Sequence, residues 1–266
     1  MPDVILTEVD GDTHVATLTL NNPGKLNAFG RELVDQWAAA LLQLGADRDV
    51  HAIVVTGAGK AFCAGGDLAT LGEDAGPLAR KEFLRDHVHR VARALRDVPQ
   101  PVIAMINGAA IGAGFDMALL CDLRIAADEA KIGEAYVNLG LVPGDGGAWL
   151  LPRLVGPSRA LELLWTGKVL SGEQAAEWGL VNQSVPRDEL RATTYALAEK
   201  LASGPQLAQR LIKRAVYSGE QMPRDTHFDM VSSYMAVAQS HPDFIEAVKS
   251  AQDGEKPSFL GGDPRP

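Results

Sequence analysis

The feature that most constrains the fold of this chain is the alternation of short apolar runs with helical patterns. Two strand-like segments, Val4–Val9 and His14–Leu20, flank a polar turn and predict a β-hairpin, and apolar residues alternate in the second one. Helical spacing of apolar residues over Arg31–Leu44 is followed by the run Ile53–Val55, and the same order recurs before Val102–Ile106. Strands that alternate with helices in this way predict an α/β protein with a largely parallel sheet.

The last third of the chain has a different pattern. Ser171 and Gln174 have the spacing of a helix capping box, and amphipathic patterns run from Leu190 onward with few interruptions. Helices with large apolar faces and no strand partners must bury those faces on their own domain or on another subunit. We therefore expect a helical C-terminal region that supports oligomerisation.

Charge and composition exclude several function classes. The 266 residues contain 25 Lys and Arg against 34 Asp and Glu, a net charge of −9, so a nucleic-acid or anionic-membrane partner is not expected. The two cysteines predict buried thiols in a reduced compartment and no disulfide framework. The N-terminal residues lack the pattern of a signal peptide, and we expect a cytoplasmic protein.

Several familiar motifs fail on inspection. Residues 57–60 resemble part of a phosphate-binding loop, but Ala61 stands where Ser or Thr is required. Residues 112–114 begin like a dinucleotide fingerprint that then lacks its third small residue. His87 and His89 are two apart on a predicted helix, so we expect a solvated helix face there and no metal site.

Two glycine-rich turns carry the strongest functional signal. The turn Ala61–Leu68 follows the strand His51–Thr56, and the turn Asn107–Gly114 follows the strand Val102–Ile106. Small residues let a ligand approach the backbone, and free N–H groups at a helix start bind developing negative charge. Two such turns that converge would form an oxyanion hole, whereas each alone is also explained by tight packing.

These turns belong to a wider set of motifs that resembles the crotonase, or enoyl-CoA hydratase/isomerase, superfamily. The matching segments are Asn22–Ala28, Ala61–Leu68, Ile103–Leu123 and Lys131–Gly147, in the family's order and spacing. The resemblance implies an α/β fold with a spiral ββα core and a C-terminal helical trimerisation region. It also implies an acyl-CoA thioester substrate and assembly as a homotrimer or as a hexamer built from two trimers.

The same resemblance divides the chain into two regions. Residues 1–190 would form the spiral core that carries the coenzyme A site and the oxyanion hole, and residues 191–266 would form the helical region that assembles subunits and closes the pocket. No metal or redox cofactor is implied, because coenzyme A enters as part of the substrate.

Site residues carry over position by position. The backbone N–H groups of Gly66 and Ala113 match the family's oxyanion hole, which would stabilise a thioester enolate. The segments expected to contact coenzyme A are the Lys25 turn, the loop that contains Gly66, and the C-terminal tail. The residues concerned are Lys25, Leu26, Ala64, Gly65, Gly66, Asp67, Leu68, Lys256 and Phe259.

The acid and base positions depart from the family pattern. Typical hydratases hold one water between two glutamates, and the matching positions here are Asp116 and Tyr136. Asp116 keeps the charge on a shorter side chain, whereas a phenol with a pKa near 10 is a poor base at neutral pH. Asp145 and Glu134 are the alternatives for the second acid or base. The use of Glu134 would break the register set by the neighbouring glycines.

Other roles remain open for two of these aspartates. Asp116 lies in the first turn of a predicted helix, where the helix dipole alone favours an acid. Asp145 lies one residue past the position where some isomerases of the family place a catalytic aspartate, but it also suits the N-cap of a helix over 148–154. Asp67 and Asp122 are predicted to be structural, as a helix cap and a strand anchor respectively.

The sequence therefore favours an enoyl-CoA hydratase that adds water to a 2-enoyl-CoA. Gly66 and Ala113 would hold the enolate, Asp116 would activate water, and Tyr136 or Asp145 would assist. An isomerase that moves a double bond is the main alternative, because one carboxylate suffices for a 1,3-proton shift. A homologue that binds acyl-CoA without turnover is the third.

Overall fold

Strands from successive parts of the chain divide between two sheets in the computed structural model, which describes residues 3–71 and 76–259. The first sheet has, in spatial order, β1 (Ile5–Asp10), β2 (Val15–Leu20), β3 (Ala52–Gly57), β5 (Val102–Ile106), β7 (Leu123–Ala127) and β10 (Gln183–Val185). The second sheet has β4 (Ala61–Cys63), β6 (Ala109–Ile111), β8 (Ile132–Gly133) and β9 (Val169–Leu170). Only the pairs β1/β2 and β8/β9 are antiparallel among these described strands.

Helices cover the sheets and form the C-terminal part of the chain. They are α1 (Arg31–Ala46), α2 (Leu68–Leu71), α3 (Pro77–Phe83), α4 (His89–Asp97), α5 (Ala113–Leu120), α6 (Gly147–Thr166), α7 (Gly172–Trp178), α8 (Arg187–Ala202), α9 (Gln206–Gly219), α10 (Arg224–Gln239) and α11 (Pro242–Asp253). A π-helical turn at Leu84–Val88 joins α3 to α4, and 3₁₀ turns lie at Pro23–Lys25 and Ala135–Leu139.

The strands follow a ββα repeat. In three successive units the first strand joins the first sheet and the second joins the other sheet: β3 then β4, β5 then β6, and β7 then β8. Asn107 links the first two units, since its side-chain amide donates hydrogen bonds to the carbonyls of Gly57 and Gly59 at 2.8 and 3.1 Å. This arrangement confirms the predicted α/β fold with a spiral ββα core.

Most predicted elements are confirmed, and one helix differs. The hairpin forms β1 and β2, the run Val102–Ile106 is a strand with those bounds, and Ser171 caps α7 in a capping box. Sequence patterns start a helix near Ser158, whereas the structure starts α6 at Gly147 and breaks it at Gly156, where φ is +76°. The helix over 148–154, considered with Asp145 as its N-cap, is the part of α6 before this break.

Helix α8 belongs to the core. The hydroxyl groups of Tyr195 and Thr17 of β2 are 2.5 Å apart, and the Nδ1 of buried His51 donates a hydrogen bond to the carbonyl of Ala202 at 3.1 Å. Since α8 packs on the strands of the first sheet, a boundary at residue 190 cuts through a helix of the core. The division into two regions stays a prediction, and residues 260–266 of the second region lie outside the described residues.

The helices after α8 leave apolar side chains uncovered. Phe228, Ile212, Val216, Met235 and Ile245 are all more than half exposed. Such side chains are what an oligomer interface would bury, and assembly as a trimer or hexamer stays a prediction. No helix in the described ranges has the length and hydropathy needed to span a bilayer.

Asp122 anchors α9 to the first sheet. Its carboxylate accepts hydrogen bonds from the N–H of Val102, from Lys213 Nζ and from the Tyr217 hydroxyl, at 2.7, 2.7 and 2.8 Å. The predicted strand anchor is therefore confirmed, with a helix attached to it.

Replacement of Asp122 by Ala is expected to lower the free energy of unfolding by about 3 kcal/mol, because it leaves the mostly buried Lys213 without its carboxylate. Chemical denaturation monitored by circular dichroism measures the change. As a matched control, Glu162→Ala removes an ion pair with Lys168 in which both side chains are about 40 % exposed, and should cost less than about 1 kcal/mol. Equal losses in the two variants would contradict this account of Asp122.

Candidate active site

The functional turns meet because three short parallel strands end side by side. In the second sheet β6 lies between β4 and β8, with Ala61 opposite Ala109 and Ile111 opposite Gly133. The carboxyl ends of parallel neighbours meet at one edge of a sheet, which is where ligands of such sheets commonly bind. The loop of Gly66, the start of α5 and the segment from Glu134 onward leave the sheet at this edge.

The two glycine-rich turns are in contact. A side-chain carbon placed on Gly65, whose φ is +92°, would lie 2.8 Å from the carbonyl oxygen of Ile111 and 3.5 Å from the nitrogen of Ala113. Only glycine permits this approach without displacement of the backbone. The convergence predicted for the two turns is therefore present in the structure.

The backbone around Gly66 and Ala113 determines whether their N–H groups can bind a substrate oxygen. Phe29 pairs with the Gly66 loop, since its N–H donates to the Gly65 carbonyl at 2.9 Å and its carbonyl accepts from the N–H of Asp67 at 3.1 Å. In the part of the chain that the structure describes, the N–H groups of Gly66 and Ala113 have no hydrogen-bond acceptor. Two unpaired donors on adjoining turns can stabilise an oxyanion.

The side chain of Asn27 holds the backbone at the start of β4, which leads into the Gly66 loop. Sequence analysis missed this role. Asn27 is fully buried, and its side chain donates hydrogen bonds to the carbonyls of Ala58 and Ala61 at 3.0 and 2.8 Å. Its backbone is left-handed, with φ of +57°, a conformation that asparagine adopts more readily than most residues. The only sequence signal was its place in the Asn22–Ala28 motif.

Three of the predicted site residues, Asp116, Tyr136 and Asp145, are in contact in the structure. The Tyr136 hydroxyl lies 2.6 Å from Asp116 Oδ2 and 2.9 Å from Asp145 Oδ2, between the two carboxyl groups. Its ring packs at 3.7 Å from the position of a side-chain carbon on Gly112, next to the oxyanion donor Ala113. Asp145 does not cap α6, because the N-cap is Gly146 and no side chain caps that helix.

The two contacts of Tyr136 require a shared proton. A neutral phenol has one hydrogen and can donate it to one carboxylate only. The second carboxyl group must then carry a proton of its own and donate it to the phenol oxygen. The arrangement therefore holds one protonated and one ionised aspartate, linked through the hydroxyl of Tyr136.

Burial shifts the titration of every member of this group. Asp116 is 0 % exposed and Asp145 is 6 % exposed. Desolvation raises the pKa of Asp116 to about 7, with a further increase from Asp145 and an opposing effect of the Tyr136 hydrogen bond. Desolvation also raises the pKa of Asp145 and of Tyr136. Asp116 thus gains and loses a proton near neutral pH, while the phenol stays protonated.

A third acid, Glu134, lies behind Asp116. Glu134 is 0 % exposed, and burial together with Asp116 raises its pKa well above the usual range. It does not replace Tyr136, which keeps the position between the two aspartates. In the described ranges no three His, Cys, Asp or Glu residues are placed to hold a metal ion.

His89 borders the acid cluster, although its sequence pattern predicted a solvated helix face. Its Nε2 donates a hydrogen bond to the carbonyl of Gly144 at 2.8 Å and lies 4.0 Å from Asp145 Oδ1. The π-helical turn before α4 brings Leu84 against the same loop, 3.4 Å from the position of a side-chain carbon on Gly144. The loop of Asp145 is therefore held from the side of α4.

Residues expected to bind coenzyme A fall in two places. Lys25 Nζ forms an ion pair with Asp67 Oδ2 at 2.6 Å, and Asp67 also accepts a hydrogen bond from the N–H of Ala69, which confirms its predicted capping role. Leu26 and Leu68, on either side of this pair, are exposed. The two predicted tail residues, Lys256 and Phe259, follow the end of α11 at Asp253. Lys256 is exposed and Phe259 is half-buried, and no hydrogen bond or ion pair among the described residues joins Lys256 to the glycine-rich turns.

The buried state of Asp116 gives a prediction for stability. Its pKa rises from 3.8 to about 7 on folding, so this group stabilises the fold at low pH and the contribution is lost as the pH rises through about 7. Asparagine cannot ionise. Asp116→Asn is therefore expected to be more stable than the parent at pH 8, by up to about 4 kcal/mol, and the difference should shrink towards pH 5.

Thermal and chemical unfolding between pH 5 and pH 8 tests this expectation. Asp10 provides the control, because backbone hydrogen bonds at its exposed turn lower its pKa. Asp10→Asn should shift stability by the same amount at every pH in this range. A stability difference for Asp116→Asn that does not grow with pH would show that Asp116 does not titrate there.

Comparison with known proteins identifies the family of this chain. The family model for enoyl-CoA hydratase/isomerase matches residues 10–261. A 1,2-epoxyphenylacetyl-CoA isomerase of Escherichia coli is 40 % identical over 98 % of this chain and 100 % of its own. A crotonyl-CoA hydratase of Syntrophomonas wolfei is 34 % identical over 95 % of this chain and 96 % of its own.

The fold of the chain also matches that of a solved structure. The crystal structure of an enoyl-CoA hydratase of Mycobacterium smegmatis superposes with a TM-score of 0.91 at 30 % identity, and covers 96 % of this chain and 98 % of its own. Sequence, fold and the arrangement of the two glycine-rich turns point to one family. The chain belongs to the enoyl-CoA hydratase/isomerase family, the crotonase superfamily, whose members act on acyl-CoA thioesters.

Proposed function

We propose that this enzyme is an acyl-CoA isomerase that moves a carbon–carbon double bond by proton transfer. One observation carries the proposal: the Tyr136 hydroxyl lies between the carboxyl groups of Asp116 and Asp145, at 2.6 and 2.9 Å. A hydratase needs a water between its two acids. Here the side-chain oxygen of Tyr136 lies between the two acids, so the three groups form one chain of hydrogen bonds along which protons can pass.

The oxyanion hole supplies the other half of the chemistry. The N–H groups of Gly66 and Ala113 would bind the thioester oxygen, which becomes negative when a proton leaves the neighbouring carbon. Each such donor contributes about 3 kcal/mol to the transition state. Lys25 and Leu26 are proposed to contact coenzyme A next to this hole.

Tyr136 is proposed to be the group that meets the substrate. Asp116 has no exposed surface, whereas Tyr136 is half-buried and reaches both aspartates. With a 3-enoyl-CoA, the Cα–H bond breaks and its electron pair forms a dienolate. The proton passes to the Tyr136 oxygen while the phenol's own proton passes to ionised Asp116, so no phenolate forms.

The second step returns a proton to the γ-carbon. Protonated Asp145 gives its proton to the Tyr136 oxygen while the phenol proton passes to the carbon, and the double bond ends between C2 and C3. Asp116 is now protonated and Asp145 ionised. A proton moving from Asp116 through Tyr136 to Asp145 restores the starting state, so protons and charges balance over the cycle.

The first test is isomerisation of a 3-enoyl-CoA to the conjugated 2-enoyl-CoA, followed by the rise in enoyl-thioester absorbance. Asp116→Asn should lower kcat by about 10²- to 10⁴-fold, the usual contribution of a general base. Because Asp116 must be ionised and its pKa is about 7, kcat/KM should fall as the pH drops below about 7.

Hydration is the second candidate and is tested on the same samples. Asp116 stands at the position of the first family glutamate, and a relative that is 34 % identical is a crotonyl-CoA hydratase. Rapid loss of crotonyl-CoA absorbance without 3-enoyl-CoA turnover would establish the hydratase and reject the isomerase. Binding of acyl-CoA with no turnover of either substrate would support a non-catalytic binder.

Because a relative isomerises 1,2-epoxyphenylacetyl-CoA, this thioester belongs in the substrate panel.

The Tyr136→Phe variant distinguishes proton transfer through the Tyr136 hydroxyl from a mechanism that uses Asp116 alone. Loss of the hydroxyl breaks the path between Asp116 and Asp145, and kcat for isomerisation should fall by about 10²-fold or more with acyl-CoA affinity little changed. Stopped-flow turnover and equilibrium binding of a saturated acyl-CoA measure the two quantities. Tyr195→Phe, which removes a phenol far away on α8, is the matched control. Retention of full kcat in Tyr136→Phe would leave Asp116 as a lone base and contradict the chain.

A further inference from the structure

Glu134 is a buried acid for which the proposed chemistry has no use. It follows β8, two residues before Tyr136, and has no exposed surface. Neither of its carboxyl oxygens accepts a hydrogen bond from an N–H or O–H group in the described part of the chain. A buried carboxyl group without a donor is costly, so it requires an explanation.

The partner of Glu134 is the carboxyl group of Asp116. A side-chain carbon on Gly147, at the start of α6, would lie 2.4 Å from Asp116 Oδ1 and 3.1 Å from Glu134 Oε1. The two oxygens therefore converge on one point that only glycine leaves open. Asp116 Oδ1 also lacks a donor from any N–H group or hydroxyl among the described residues. Two carboxyl groups in contact share one proton, since both cannot be ionised in a buried space.

We infer that Glu134 is a positioning residue, which stays protonated and donates its hydroxyl hydrogen to Asp116. This inference rests on the proposed role of Asp116 as the base. Asp116 would then be held at both oxygens, by Glu134 at Oδ1 and by Tyr136 at Oδ2. A base fixed in this way keeps its orientation towards the phenol when it changes its charge.

The surroundings decide which acid holds the proton. The titratable groups that face Asp116 are Glu134, Tyr136 and Asp145, and His89 faces Asp145 from α4. Asp116 Oδ2 accepts a hydrogen bond from the Tyr136 hydroxyl at 2.6 Å, whereas neither oxygen of Glu134 has such a donor among the described residues. Ionisation therefore costs less at Asp116, and the shared proton stays on Glu134. Burial and the neighbouring Asp116 raise the pKa of Glu134 in the same sense. Its hydrogen bond offsets part of the desolvation that would otherwise keep Asp116 protonated.

Two variants of nearly equal size test the inference. Glu134→Gln keeps a neutral hydrogen-bond donor next to Asp116. Its kcat/KM should stay within about threefold of the parent value, and the fall of kcat/KM at low pH should occur at the same pH as in the parent. Glu134→Leu removes the donor, so the pKa of Asp116 should rise. The acid limb should move to higher pH, with at least about tenfold lower kcat/KM at pH 7 and recovery towards pH 9.

A second readout does not depend on turnover. Carbon-13 NMR of protein labelled at the side-chain carboxyl carbons gives the titration midpoint of Asp116, which is assigned by the loss of its signal in Asp116→Asn. The midpoint should rise in Glu134→Leu and stay in place in Glu134→Gln. If neither enoyl-CoA substrate is turned over but the midpoints behave in this way, the proposed function fails and the carboxyl pair stands.

Two results would overturn the inference. Equal inactivity of both variants with an unshifted Asp116 midpoint would make Glu134 a direct acid or base. If the acid limb of kcat/KM and the titration midpoint of Asp116 were unchanged in both variants, Glu134 would serve only to pack the interior. Circular dichroism confirms that each variant is folded, and Glu134→Met replaces Glu134→Leu if the latter unfolds.

Discussion

Three carboxyl groups share one buried space, and this constraint shapes the rest of the site. Asp116, Glu134 and Asp145 are almost without exposed surface. The His89 ring lies 4.0 Å from Asp145 and donates its hydrogen bond to the carbonyl of Gly144. Several negative charges cannot be confined there at low dielectric. Some of these carboxyl groups must therefore stay protonated. Carboxyl groups that titrate near neutral pH are suited to an enzyme that catalyses proton transfer.

The spiral core explains why these groups meet. Each ββα unit sends one short strand to the second sheet, and each of these strands ends at the same edge. The first unit contributes Gly66, the second contributes Ala113 and Asp116, and the third contributes Glu134 and Tyr136. Groups that are 18 to 70 residues apart in the chain are thereby brought together, because the parallel neighbours end at one edge of the sheet.

The resemblance to the family's motifs made part of this site predictable. Gly66, Ala113 and Asp116 lie in two contiguous segments, Ala61–Leu68 and Ile103–Leu123, whose match to the family fixes each position along the chain. The contact of Tyr136 with Asp145, the pairing of Glu134 with Asp116 and the approach of His89 depend on how separate loops pack. The hydrophobic periodicity of a sequence does not show how separate loops pack against one another. The same limit explains the boundary at residue 190, since an amphipathic pattern shows that α8 has an apolar face but does not identify the sheet that covers it.

The departures from the two-glutamate pattern are best understood as one coupled change. A glutamate in place of Tyr136 would bring a fourth carboxyl group into a space that already holds three, and repulsion would drive further protonation. A phenol reaches both aspartates without adding charge, and its raised pKa keeps it neutral. The shorter Asp116 fits together with the longer Tyr136, and Gly147 leaves room for Glu134 behind them. Tyr136 is therefore the substitution that makes the buried acids compatible with one another, and the chemistry of the site follows from that compatibility.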